Sequence, residues 1–287
     1  MAEARCPASC GELIQGWIQG GEKLVSCPVN WFSTVAVSDG APLPTERTRM
    51  RLVLRAVLRH LSLPSSLEAG LRIEFESSIP VAKGMASSTA DIAACAIATA
   101  RHFGMQLTEK ELASLCVGIE PTDSTIFQAP TLFDHQQALT QTPLHERCPE
   151  WDMLLLESPD CLRTEDYHRR PRQALLQEYA PQLKRAHRLL TEGMRENNRH
   201  KIGAATTLSA QASQALLPKP AFNDIVEIAE QHGLFGLNVA HSGSVVGLLL
   251  DTHLHDPEKI IHAMRVKNIL VFYPHVRLLH TTLGGVR

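Results

Sequence analysis

The stretch Pro80-Val81-Ala82-Lys83-Gly84-Met85-Ala86-Ser87-Ser88-Thr89-Ala90 constrains this chain more than any other, because a glycine turn there runs straight into an alanine-rich helix. From Ser87 to Phe103 the residues Ala90, Ala93, Ala94, Ala96, Ala98 and Ala100 predict a helix small enough to approach a neighbouring sheet or helix closely, with Gly104 as its stop. The first N–H groups of a helix lack intrahelical partners and carry the positive end of its dipole. A phosphate can be held there by backbone alone. Gly84 lets the main chain approach an anion, Ser87 and Ser88 offer hydroxyls to a phosphate oxygen or a magnesium ion, and Lys83 adds positive charge. On these residues alone, an ordinary serine cap on a core helix accounts for the pattern equally well.

The surrounding elements follow from periodicity. Lys23 to Pro28, Phe32 to Val37, Leu71 to Phe75 and Met153 to Glu157 predict strands, and so does Ile269 to Tyr273. Leu237 to Ala240 and Val245 to Asp251 flank His241-Ser242-Gly243-Ser244 and predict a tight hairpin. Arg49 to Leu61 predicts a helix whose apolar face carries Leu52, Ala56, Leu58 and Leu61. Thr108 and Glu111 form a capping-box pattern ahead of Leu112, Leu115, Cys116 and Ile119. Further helices are expected over Tyr179 to Asn197, Ile202 to Leu216 and Phe222 to Gln231. The polar stretch Thr140 to Pro149 marks a boundary, which divides the chain into lobes at 1–148 and 149–287.

With 44% hydrophobic and 20% charged residues, the 287-residue chain can bury a large core. The formal charge of -2 gives no footprint for nucleic acid or an anionic membrane, so the expected partners are small molecules. Seven scattered cysteines without a C-x-x-C pair read as free thiols, and no apolar run of signal or spanning length occurs. A cytoplasmic protein, monomer or homodimer, is expected.

Residues 80–90 resemble the second motif of the GHMP kinase superfamily. Ala240 to Leu248 is similar to its third motif, a glycine-rich hairpin lying against the phosphate loop, and Cys6 to Gly16 with Pro28-Val29-Asn30 is similar to its first. Neither the P-loop pattern nor G-x-G-x-x-G is present. The resemblance implies an α+β, two-lobe fold: an N-terminal βαβ lobe with a left-handed crossover and a ferredoxin-like C-terminal lobe. It implies ATP and Mg2+, with Pro80 to Ala90 and Ser242, Gly243 and Ser244 at the nucleotide. It places Ser87, Ser88 and Glu120 at the metal, and Asp123 at the substrate hydroxyl as base or orienter. Ser9 stands where mevalonate kinases carry a lysine and homoserine kinases a hydroxyl, which leans toward an amino-acid alcohol. Glu12 is the candidate for the substrate ammonium, matching a homoserine-kinase asparagine, although Ile18 replaces the aspartate that follows in that pattern. CPASCGELIQG, KGMASSTAD, EPTDST and NVAHSGSVVG are most similar to the branch that phosphorylates L-threonine in cobalamin biosynthesis. The alternatives are another GHMP kinase or a non-catalytic ATP-binding sensor. No partner for a substrate carboxylate emerges, since Arg163, Arg169 and Arg170 read as a solvated loop, and His241 is a minor candidate for touching phosphate.

Overall fold

In the computed structural model the described residues are 1–161 and 171–287. The chain opens with a long antiparallel hairpin, β1 (Ala2–Ile18) and β2 (Gly21–Asp39). Gln19 and Gly20 close it with φ of 49° and 81°, the doubly left-handed two-residue turn that suits the twist of paired strands. Gly11 falls in one of the bulges of β1, while Gly16 stays in register opposite Lys23. The pairing register slips between Ser9 and Glu12 and again between Glu12 and Ile14.

After β2 come α1 (Thr48–His60), β3 (Leu71–Ser77), α2 (Ser87–His102) and α3 (Glu109–Val117). β4 (Thr131–Phe133), β5 (Gln141–Pro143) and β6 (Asp152–Glu157) follow. Then come α4 (Gln173–Glu178), α5 (Ala180–Arg195), α6 (Arg199–Ser213) and α7 (Phe222–Gln231). The chain ends with β7 (Gly236–Val239), β8 (Val246–Leu250), α8 (Pro257–Val266) and β9 (His275–His280). The nine strands of the described residues form one sheet in the order β5-β4-β2-β1-β7-β8-β6-β9, with β3 paired to β2.

Helix α2 packs on β1, β2 and α1, and it is buried around nearly its whole circumference. Its alanines make that possible, since a larger side chain on any flank would hold the helix off the sheet. Asp91 is its buried carboxylate, taken by Ser33 Oγ and the Arg47 guanidinium. β6 is apolar at every second position on both faces: Met153 and Leu155 enter one core cluster, Leu154 and Leu156 the other. The capping box at Thr108 and Glu111 forms as the sequence predicts.

Two expectations fail. The buried stripe of α1 is Met50, Val53, Leu54, Val57 and Leu58, while Leu52 faces solvent. The helical spacing i, i+3, i+4, i+7, i+8 selects that set once Met50 is counted. Ile269 to Tyr273 is not a strand: a 3-10 turn spans Ile269–Val271, entered through left-handed Asn268, and the strand comes later as β9. Ile269 and Tyr273 are both buried, four residues apart, while Val271 and Phe272 are exposed, so burial there follows a helical rather than an alternating period.

α6 crosses β7 with almost no clearance. A Cβ on Gly203 would stand 1.8 Å from the carbonyl oxygen of Phe235, whereas one on Gly70 would meet nothing within 4 Å. Gly203→Ala should therefore destabilise the fold by roughly 1–3 kcal/mol in urea titration, the usual cost of overpacking, while Gly70→Ala stays near neutral.

Candidate active site

The turn before α2 is unusual for its non-glycine left-handed residues. Ala82, Gly84 and Ala86 have φ of 60°, 79° and 57°. Ala86 occupies the cap position, and no side chain caps the helix. Ser87, Ser88 and Thr89 thus lie inside the first turn instead of capping it, and the orphan N–H groups are left for another acceptor. Alternating backbone handedness beside a helix N-terminus makes an anion-binding concavity.

The hairpin between β7 and β8 lies directly on this turn. Ser244 N donates to Lys83 O at 3.0 Å, and a Cβ on Gly243 would be 2.2 Å from that oxygen and 2.4 Å from Gly84 Cα. Glycines at both positions allow the two main chains to touch. The Lys83 ammonium, expected to add charge at the phosphate, instead donates to the carbonyls of Ser158, Pro159 and Asp160 at 2.7, 2.8 and 3.0 Å. Ser244 Oγ donates to the same Asp160 carbonyl at 2.7 Å. Lys83 thereby ties the loop after β6 to the phosphate turn.

Asp123 is joined to the first turn of α2 by a reciprocal pair. Thr89 Oγ1 donates to Asp123 Oδ2 at 3.2 Å, and Asp123 N donates to Thr89 Oγ1 at 3.1 Å. Its neighbours are fixed too: Ser124 and Ser26 exchange backbone-to-hydroxyl bonds at 2.9 and 2.8 Å. Burial, then the charges of Glu12 and Glu120, push the Asp123 carboxyl up to about 7, against the pull of the Thr89 hydroxyl. Glu120 is half-buried and forms an ion pair with Arg49 at 2.7 Å.

Glu12 is held across the sheet by the hairpin. Its Oε2 accepts from His241 N at 3.1 Å and pairs with His241 Nδ1 at 2.9 Å. His241 therefore meets Glu12, not the phosphate turn; its Nε2 lies 3.4 Å from Ser209 Oγ, which also accepts from Gln15 N at 2.9 Å. Ser9 lies beside the site through its backbone, donating to Met85 O at 3.1 Å, but its buried hydroxyl is engaged with Gly11 O and Cys27 N inside the hairpin. The cysteines are free; burial raises the thiols of Cys6, Cys10, Cys27, Cys95, Cys116 and Cys148.

The structure thus gathers Gly84 to Thr89, Gly243, Ser244 and Asp123 around one helix end, with Glu12 and Glu120 close enough to act on Asp123. Arg163, Arg169 and Arg170 lie outside the described residues. Sequence reasoning missed Thr89 as the bridge to Asp123, and Lys219, a buried lysine on whose ammonium the Glu12 charge acts. Thr89 sat in plain view within the motif; Lys219, bracketed by Pro218 and Pro220, falls in no periodic pattern. The charges of Glu12 and Glu120 acting on Asp123, beside the hydroxyls of Ser87 and Ser88, make an oxygen-rich, negatively charged setting that fits a hard divalent cation.

Residues 50–133 match the GHMP kinases N terminal domain, and residues 183–268 match the GHMP kinases C terminal domain. An L-threonine kinase from Citrobacter freundii is 53% identical over 286 residues, covering 100% of this chain and 99% of that protein. One from Salmonella typhimurium is 53% identical over 287 residues, covering 100% and 95%. Among solved structures, homoserine kinase from Cytophaga hutchinsonii superposes with a TM-score of 0.71 at 16% identity, covering 100% of this chain and 96% of that one. With both domain matches in order and full-length relatives at this identity, the chain belongs to the GHMP kinases.

Proposed function

We propose that this protein transfers the γ-phosphoryl group of ATP to the side-chain hydroxyl of L-threonine, giving O-phospho-L-threonine and ADP. The product would serve as precursor of the aminopropanol phosphate linker in the cobalamin nucleotide loop. The observation that carries this reading is the uncapped start of α2 with a carboxylate, Asp123, bridged to it through Thr89. The full-length threonine kinase relatives support the choice of acceptor.

The triphosphate lies against the N–H groups of Ser87, Ser88 and Thr89, beneath Ser242, Gly243 and Ser244. Ser87, Ser88 and Glu120 would hold Mg2+, which neutralises phosphate charge when bound. The threonine oxygen bonds to the γ-phosphorus as the bond from phosphorus to the ADP oxygen breaks, and the hydroxyl proton passes to the Asp123 carboxylate. Glu12 receives the substrate ammonium. Ser9, with its hydroxyl closed into the sheet, positions Met85 and the phosphate turn through its backbone and is not a catalytic residue on this reading. A non-catalytic sensor would have no use for an acid tuned toward neutrality at the phosphate turn. No described helix is long and apolar enough to cross a membrane.

Purified protein offered ATP, Mg2+ and an equal mixture of threonine, serine, homoserine and mevalonate should phosphorylate threonine first. Preference for any other acceptor refutes the assignment. Asp123→Asn should lower kcat roughly 100- to 10,000-fold, the range for losing a general base. Because the protonated carboxyl cannot accept a proton, wild-type kcat/KM should fall as pH drops through about 7, and the variant's residual rate should lack that limb. The stability effect has the opposite sense. A carboxyl raised in the folded state favours folding at low pH, and that contribution is lost as pH rises through about 7. Asp123→Asn should therefore melt above wild type at pH 8, with the gap closing toward pH 5; equal melting curves at pH 8 would argue against a buried, strained carboxylate.

A further inference from the structure

Lys219 is a buried lysine that the phosphate turn and its carboxylates leave unexplained. It sits in the link from α6 to α7 and is 5% exposed. Its backbone is well placed: Lys219 N donates to Gln214 Oε1 at 2.7 Å, and Tyr273 Oη donates to the neighbouring Pro220 carbonyl at 3.1 Å. Its ammonium is not. Among the described residues its one hydrogen bond runs to Leu217 O at 3.3 Å, and no carboxylate stands within ion-pair distance. Two of three donors on a buried ammonium are left without acceptors, an arrangement that costs stability unless something else fills them.

The complementary half lies on β1. Glu12 is 3% exposed, with Oε2 occupied by His241. Its Oε1 takes no hydrogen bond among the described residues. Ser209 joins the two halves: it bonds Gln15 on β1 and contacts His241 from α6, whose chain continues through Gln214 to Lys219. Glu12 is the charge that acts on Lys219, drawing its pKa upward while burial pulls it down to about 7. Glu12 and Lys219, both buried, thus form no ion pair although the charge of one acts on the other, and each keeps an unused hydrogen-bonding position.

Resting on the threonine reading above, we infer that Lys219 binds the carboxylate of the acceptor amino acid while Glu12 holds its ammonium. The two groups form a clamp for an α-amino-acid zwitterion. Opposite charges on one carbon need opposite counter-charges a few ångströms apart, and a gap between Lys219 and Glu12 supplies them where a closed ion pair would not. Bound substrate also completes the donors and acceptors that burial leaves open. The clamp sets which molecules enter, because an alcohol lacking the carboxylate leaves Lys219 buried and unpaired.

The test compares L-threonine with L-threonine amide, which keeps the ammonium and hydroxyl but carries no anionic carboxylate. Wild type should show a KM for the amide about 100-fold above that for threonine, the scale for an unpaired buried charge. Lys219→Met should raise KM for threonine about 100-fold while leaving KM for the amide and for ATP unchanged, and Lys219→Arg should recover part of the threonine preference. Equal losses on both substrates would make Lys219 a structural residue only. A fall in kcat at unchanged KM would make it a proton acceptor. Either result overturns the clamp. Should Lys219→Met fail to fold, wild type that accepts the amide as well as threonine overturns it by itself. Wild type that leaves threonine unphosphorylated defeats the function reading and the clamp together, whereas an unchanged KM for threonine in Lys219→Met defeats the clamp alone.

Discussion

β1 meets β7 at a single residue pair, Glu12 opposite Val239, and the arrangement of the whole site depends on that joint. The bulges around Glu12 make it possible. Gly11, with φ of 59°, lies so close to Val239 that an added Cβ would stand 2.6 Å from its carbonyl carbon, and the Asn238 amide donates to Cys10 O at 2.6 Å. The backbone of β7 is thereby fixed against β1, and the hairpin that follows β7 arrives over the turn that precedes α2. The same joint aims the Glu12 carboxylate at His241. A side chain at position 11 would separate these strands, and with them the hairpin from the phosphate turn.

The site is electrostatically unbalanced in one direction. Glu12 and Glu120 stand close enough for their charges to act on Asp123, with Glu120 paired to the Arg49 guanidinium and Glu12 to the His241 imidazole. The α2 dipole and orphan N–H groups favour an anion at one end, while the carboxylates favour cations beside it. The proposed magnesium nucleotide and ammonium-bearing acceptor would satisfy both demands at once. A protein without such ligands has no reason to gather three carboxylates near a buried helix terminus, since each desolvated charge lowers stability.

Local features were legible where one chemical rule settles them. The alanine-rich helix, the Thr108–Glu111 capping box and the Ser-Gly-Ser hairpin follow from side-chain size, capping chemistry and turn residues, none of which depends on distant contacts. The 3-10 turn at Ile269–Val271 was not legible, because a short apolar run has no strong period until tertiary packing chooses which side chains go inside. The partners of Lys83 were misjudged for a related reason. A lysine beside a glycine turn suggests phosphate contact, yet its flexible stem reaches carbonyls 75 or more residues away in the chain, and proximity of that kind leaves no mark in local sequence. Glu12–His241 and Lys219 belong to the same class: they depend on where β1, α6 and the hairpin converge.

That division has a physical basis. The phosphate turn uses backbone groups, so glycine, alanine and short hydroxyl residues must occupy fixed, adjacent positions, and the requirement appears as a motif. Recognition of the acceptor, as proposed, uses side-chain charges at the ends of long stems, and any element that brings a carboxylate and an ammonium to the substrate can serve. Glu12 comes from a bulged strand and Lys219 from a proline-bracketed link more than 200 residues later. Phosphate binding is therefore constrained in sequence, whereas acceptor choice is constrained only in space. One sheet joint can consequently support phosphoryl transfer to different alcohols, with the identity of the acceptor resting on a few buried charges that leave the fold unchanged.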